Sequence, residues 1–243
     1  KPADGSPALL TLDEVTTMFH EFGHALHGLL SDVRYPTFSG TNVPRDYVEF
    51  PSQINENWAL DPAILRNYAR HIDTGEPLPS ELIDAITASR QFGQGFATSE
   101  YLAAAIIDMA WHSLSSEEAA GVSDVHAFEE AALQDAGLVV EHLKPRYQST
   151  YFNHIFGGGY SAGYYSYLWA EALDADGFDW FTETGAAGPG ASGEAARAAG
   201  QRFRDLVLSR GGASDYAAAF ESLRGRAKDV APLLRRRGLG GAL

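Results

Sequence analysis

Two histidines four residues apart, with a glutamate directly after the first, form a pattern that can bind a metal ion and put it to use: His20-Glu21-Phe22-Gly23-His24. On an α-helix, positions i and i+4 share a face and lie about 6 Å apart along the axis, so both imidazoles can reach one ion at roughly 2.0–2.1 Å. Glu21 is rotated by about 100° from His20 and falls beside such an ion rather than on it. A general base has to stand there, close to a water that the ion acidifies but not itself a ligand. Gly23 costs a helix about 1 kcal/mol relative to Ala, so a position without a side chain points to close approach by another backbone.

A catalytic zinc keeps three protein ligands and leaves a fourth position open. The 243 residues contain no cysteine, so the third ligand must be His, Asp or Glu, and disulfides and thiol chemistry are excluded. His27 lies close by in sequence. One straight helix does not readily turn imidazoles at i, i+4 and i+7 onto a single tetrahedral ion, and a neighbouring or packing role suits His27 better. Glu49 is the stronger candidate. It stands at the start of the next expected helix, which permits an antiparallel return to the ion, and its neighbours Val48 and Phe50 are apolar. The ordinary alternative is an acidic residue favoured by the helix dipole. Asp46 and Glu56 compete for the ligand role, and Asp46 could instead accept a hydrogen bond from the far nitrogen of a ligating histidine.

The second unusual stretch runs from His154 through Gly157-Gly158-Gly159 to Tyr160, Tyr164 and Tyr167. The glycines make a pliable loop that can approach a ligand closely. The tyrosines recur at i, i+4 and i+7, the spacing of one helical face. An aromatic core stripe is the commoner use of such spacing. Three buried hydroxyls would each need a partner, and a face lining a wet cleft relieves that demand.

Helices must position most of these groups. Thr11-Leu12-Asp13-Glu14 has the form of a capping box, and a helix from there to roughly Leu30 would carry the histidines. Val15, Phe19, Phe22, Leu26 and Leu30 are the apolar residues available to bury it. Between 33 and 48 the β-formers Tyr35, Thr37, Phe38, Thr41, Val43, Tyr47 and Val48, broken by Pro36, Gly40 and Pro44, predict a short strand or hairpin. A second helix begins near Asp46–Glu49 and runs to about Leu60, because Pro51 is comfortable only in a first turn. Helices are expected over 62–72, 79–91, 95–115, 124–136, 160–181, 193–210, 213–223 and 228–237. The low-complexity stretch Gly185–Gly193 reads as a flexible surface loop, and Arg235, Arg236 and Arg237 as a solvated basic tail. The chain is therefore mainly α, with a small β element beside the metal motif.

Bulk properties narrow the field of functions. Hydrophobic residues make up 45% and charged residues 21%, as in ordinary globular proteins. A net charge of −14 speaks against nucleic-acid binding. No apolar run approaches the ~18–20 residues of a membrane span. The lack of cysteine suits a reducing compartment such as the cytoplasm. The opening Lys1-Pro2-Ala3-Asp4-Gly5-Ser6-Pro7 has no initiator Met and reads as a turn-rich loop inside a longer protein.

Three runs together carry a family likeness: His20-Glu21-Phe22-Gly23-His24-Ala25-Leu26-His27-Gly28, Ser39-Gly40-Thr41, and Arg45-Asp46-Tyr47-Val48-Glu49-Phe50-Pro51-Ser52-Gln53. With them the chain resembles, over essentially its whole length, the thimet oligopeptidase family of zinc metallopeptidases. Its branch of bacterial dipeptidyl carboxypeptidases (peptidyl-dipeptidases) is the more similar, ahead of the bacterial oligopeptidases. The resemblance implies zinc as cofactor, held by His20, His24 and Glu49, with Glu21 as catalytic base. It implies that Tyr167 and Tyr160 hydrogen-bond the tetrahedral intermediate or nearby substrate backbone, that His154 assists, and that Tyr164 and Gly40 contact substrate. The segment 39–43 would be an edge strand pairing with the extended substrate. The implied fold is a mainly α, multi-helix zincin-type catalytic domain over residues 1–243, the C-terminal catalytic part of a longer two-lobed enzyme. The implied activity is release of dipeptides from the free C-termini of oligopeptides, with endo-acting cleavage as the alternative. Because the family encloses a channel between two halves, a zinc-binding helical portion without turnover is a further alternative, its partner being the absent N-terminal half.

Overall fold

The computed structural model of the chain describes residues 2–139 and 141–240. Its regular structure is almost entirely helical. In chain order the α-helices are α1 (Leu12–Leu29), α2 (Arg45–Val48), α3 (Phe50–Glu56), α4 (Pro62–Tyr68), α5 (Ser80–Ser89), α6 (Gln94–His112), α7 (Ser116–Gly121), α8 (Val125–Asp135), α9 (Asn153–Phe156), α10 (Ser166–Glu183), α11 (Gly193–Phe203), α12 (Tyr216–Arg224) and α13 (Ala231–Arg236). Among the described residues no helix is long and apolar enough to cross a membrane.

The chain divides into two compact units, one built from residues up to Thr87 and from Ala170 onward, the other from Ala88–Trp169. In the first, α1 starts where its capping box predicts. Thr11 N–H donates to the Glu14 carboxylate at 2.7 Å, and Glu14 N–H returns a bond to Thr11 Oγ1 at 3.2 Å. Helix α3 packs along α1, and Asn55 Nδ2 donates to Phe19 O at 2.6 Å. Gly23 makes this approach possible, since a Cβ there would lie 2.6 Å from Ser52 Cα and 2.7 Å from Pro51 O. Gly23→Ala is therefore expected to destabilise the chain by about 1–3 kcal/mol, even though helix propensity alone favours Ala by about 1 kcal/mol. Equilibrium denaturation checks this, and a neutral or stabilising result would mean that α1 and α3 do not meet so closely.

The core of this unit is aromatic. Phe50 is fully buried, its ring 5.9 Å from Phe203 and 5.7 Å from Phe220, with Ile54, Leu173, Phe181 and Val207 around it. The C-terminal arginines are not a solvated tail. Arg235 pairs with Asp179 at 2.7 Å, Arg236 with Asp174 at 2.5 Å and Arg237 with Glu171 at 2.5 Å, fastening α13 to α10. Burial pushes Asp174 up to about 6, against the opposing pull of Arg236. Gly185–Gly193 is also better anchored than its composition predicts: Ala186 and Ala187 are buried, and Gly188 N–H donates to Asp61 Oδ2 at 3.0 Å.

The strand expected between 33 and 48 does not form. Pro36–Phe38 is a turn of 3-10 helix, α2 begins at Arg45, and the β pairing among the described residues is a single bridge between Arg70 and Pro77. Backbone packing replaces a ladder here. Gly40, at φ +54°, lies so close to Gly28 that a Cβ would come within 2.9 Å of its Cα, and the Gly40 N–H is taken by Ser31 Oγ at 3.1 Å. A glycine contact with a helix end, not alternation of side chains, sets this segment's path.

Candidate metal centre

The metal motif lies in the middle of α1, and Glu49 sits at the junction where α2 ends and α3 begins. Val48 and Phe50 are buried on either side of Glu49 and fix where it points. Glu49 is itself buried, at 3% exposure, and Ser52 Oγ donates to its Oε2 at 3.2 Å. His20 Nε2 is 3.2 Å and His24 Nε2 is 3.3 Å from that same oxygen. The two imidazoles stand edge to face, with ring centroids 4.9 Å apart. One ligand atom from each of His20, His24 and Glu49 lies within 4.8 Å of the others.

The donor set fits a catalytic zinc: two neutral imidazole nitrogens and a carboxylate, three ligands with room for a fourth. A buried carboxylate between two histidines also calls for positive charge. Without an ion, a proton supplies it. Burial disfavours a charged His20, but hydrogen bonds to Glu49 and Glu56 outweigh burial and push its pKa up to about 10.

Glu56 is the acidic group on the far side of His20, with its Oε1 2.7 Å from Nδ1. An Nδ1–H donated to Glu56 leaves Nε2 as the lone-pair nitrogen facing the site, the tautomer a metal ligand needs. From the sequence, Asp46 and Glu56 both compete for the ligand role, with Asp46 alternatively an orienting partner of a ligating histidine. In the structure Glu56 is the orienting partner of His20, while burial, and then the charge of Asp46, raises the pKa of the Tyr216 phenol. The signal was present, since Glu49, Ser52 and Glu56 recur at i, i+3 and i+7 along one face of the α3 turn. His24 Nδ1 is buried with no hydrogen-bond partner among the described residues.

Glu21 is exposed and lines an open hollow of about 740 Å³ with Met18, Phe19, Phe22 and Ala25. Phe22 was expected to help bury α1 but is 56% exposed, in a stripe with Met18, Ala25 and Leu29. His27 is completely buried, and neither ring nitrogen has a hydrogen-bond partner among the described residues. Burial, and then the charge of His24, lowers its pKa to about 4. A neutral packing group results, not a fourth member of the ligand set.

The second unit gathers His154 and the tyrosines, by a different route from the one expected. The helix predicted from 160 begins only at Ser166, so Tyr160 and Tyr164 lie in a turn rather than on a helical face. Their rings still converge. Tyr160 stacks on Tyr167 at 5.2 Å, Tyr164 lies 5.3 Å from Tyr167, and His154 is 5.6 Å from Tyr164 and 6.4 Å from both Tyr160 and Tyr167. Tyr164 is buried, at 4% exposure, which raises its phenol pKa, while Tyr160, Tyr167 and His154 are partly exposed.

Residues 1–239 match the family model described as peptidase family M3. The dipeptidyl carboxypeptidases of Salmonella typhimurium and Escherichia coli are each 48% identical over 239 residues, covering 98% of this chain and 34% of their own length. Oligopeptidase A of Escherichia coli is 38% identical over 243 residues, covering 99% of this chain and 34% of its own. The chain thus spans about a third of the length of the curated relatives it matches.

Proposed function

The chain belongs to peptidase family M3, and from that premise we propose that it is the zinc-bearing catalytic portion of a peptidase that releases dipeptides from the free C-termini of oligopeptides. The observation that carries this reading is the convergence of His20, His24 and Glu49 on one point, with Glu21 on the same helix. His20, His24 and Glu49 would hold the zinc, which when bound supplies Lewis-acid polarisation of a carbonyl and lowers the pKa of water to roughly 7. Glu21 takes the proton of the attacking water and passes it to the leaving amine. Tyr160 and Tyr167 hydrogen-bond the tetrahedral intermediate or nearby substrate backbone, each well-placed donor being worth about 3–4 kcal/mol. His154 assists them, Tyr164 shapes the loop that carries them, and the turn around Gly40 meets the substrate backbone.

The dipeptide-releasing reading rests on the 48% relatives, and the endo-acting alternative on the 38% relatives. A decapeptide with a free C-terminus, and the same peptide amidated, separate the two. The first reading expects dipeptides from the free peptide and none from the amide, by mass spectrometry alongside metal analysis of the protein. Equal cleavage of both peptides would overturn it in favour of endo-acting cleavage. The exposed stripe Met18, Phe22, Ala25 and Leu29 on α1 suits packing by another lobe of a longer polypeptide. On that view the 243 residues alone bind zinc and turn over weakly or not at all, so every cleavage measurement is made on the longer polypeptide that carries them. Cytoplasmic peptides are the proposed substrates.

A further inference from the structure

We propose that Asp108 is a positioning residue for the tyrosine-bearing turn, and that its carboxylate, rather than helix or sheet, is what gives that turn a single conformation. Asp108 is a fully buried acidic side chain on α6, in the second unit. Its Oδ1 accepts from Ala162 N–H at 2.9 Å and its Oδ2 from Tyr164 N–H at 2.8 Å. His112, one helical turn on, holds Oδ1 from the other side through Nδ1 at 2.8 Å. One turn-bound carboxylate thus takes two amides that a helix would have sent to carbonyls four residues back, which is why α10 starts late. Ala162 sits at φ +53°, a left-handed conformation that crowds the Cβ of any residue other than glycine. Such a conformation persists only where the surroundings impose it. On the same face of α6, seven residues before Asp108, the Tyr101 hydroxyl donates to Tyr164 O and accepts from Leu168 N–H at 3.2 Å. Asp108 and Tyr101 thereby grip the backbone between Tyr160 and Tyr167 at three points, and the stacking of those two rings follows from that grip.

The catalytic consequence rests on the reading that Tyr160 and Tyr167 meet the substrate. Asp108→Asn keeps the shape but turns one acceptor into an amide that opposes an N–H. Peptide-resolved hydrogen exchange over 157–165 is expected to quicken at least tenfold in D108N, with α1 unchanged. Zinc Kd and KM should stay within about twofold while kcat falls at least tenfold, a split that general destabilisation does not produce. Unchanged exchange over 157–165 in folded D108N would overturn the proposal. In the unaltered chain, slow exchange at the Ala162 and Tyr164 amides, matching the interior of α6, supports it. Exchange there at the rate of an exposed loop overturns it without any variant having to fold. Tyr167→Phe tests the underlying reading separately: wild-type cleavage by that variant would remove the role of the tyrosine while leaving the anchoring by Asp108 to stand on the exchange data.

Discussion

Glu21→Gln is expected to lower peptide cleavage by about 10²–10⁴-fold while leaving zinc affinity nearly unchanged, the range by which a positioned general base accelerates a hydrolysis. His20 and His24 face Glu49, whereas Glu21 is turned away from that point by about 100° of helix and is exposed. Removing its charge leaves the three ligand atoms where they are, and glutamine occupies the same space, so neither packing nor the metal site should respond. What glutamine cannot do is accept a proton. Zinc content by metal analysis, and kcat on a free-ended peptide, report the two halves of the prediction independently. Full retention of cleavage with zinc bound would remove Glu21 from the mechanism. Parallel loss of zinc would instead make it a ligand.

The features that could be read from the sequence were those fixed by local rules. The capping box at Thr11 and the i, i+4 histidines depend only on helix geometry, and α1 carries both as expected. Pro51 predicted a helix start close to Glu49, and α3 does begin at Phe50 with proline in its first turn. Failures came where distant groups override local preference. The β-formers of 33–48 lose their ladder because Gly40 and Gly28 bring backbones together there. Tyr160, Tyr164 and Tyr167 have helical spacing, yet Asp108, more than fifty residues earlier, captures the amides that a helix would need. Arg236 and Arg237 are drawn out of solvent by carboxylates on α10 that no window around residue 236 contains. At the metal site, spacing identified the two histidines, left three carboxylates competing, and needed the resemblance to favour Glu49. The tertiary structure then separated the roles, with one carboxylate between the histidines and another behind His20.

That separation predicts the second large effect. Glu49→Ala should abolish zinc binding in the range where the unaltered chain saturates, and peptide cleavage with it, because Glu49 Oε2 is the atom on which both imidazoles close. Zinc at a hundredfold excess over Kd should stabilise the unaltered chain by about 2.7 kcal/mol and the variant not at all. Glu56→Gln should cost only about 10–100-fold in affinity, the usual cost of losing a group that orients a ligand. Competition with a chromophoric chelator ranks all three proteins. An equal loss in the two variants would mean that Glu56 binds the ion directly. The pH dependence has a definite sign. With no ion present, burial is outweighed by Glu49 and Glu56 and His20 is held up to about 10, above the ordinary value of 6.5. The stabilisation from that proton is therefore complete below about 6.5 and is lost as pH rises through about 10. Zinc needs the nitrogen that the proton occupies, so its affinity should climb across this window, with about one proton released per ion bound. In Glu49→Ala His20 loses one of the two carboxylates that hold its proton, so the metal-free variant should be less stable than the unaltered chain near pH 6 and should converge on it above pH 10. A stability difference that stayed constant across this range would show that Glu49 acts through packing alone.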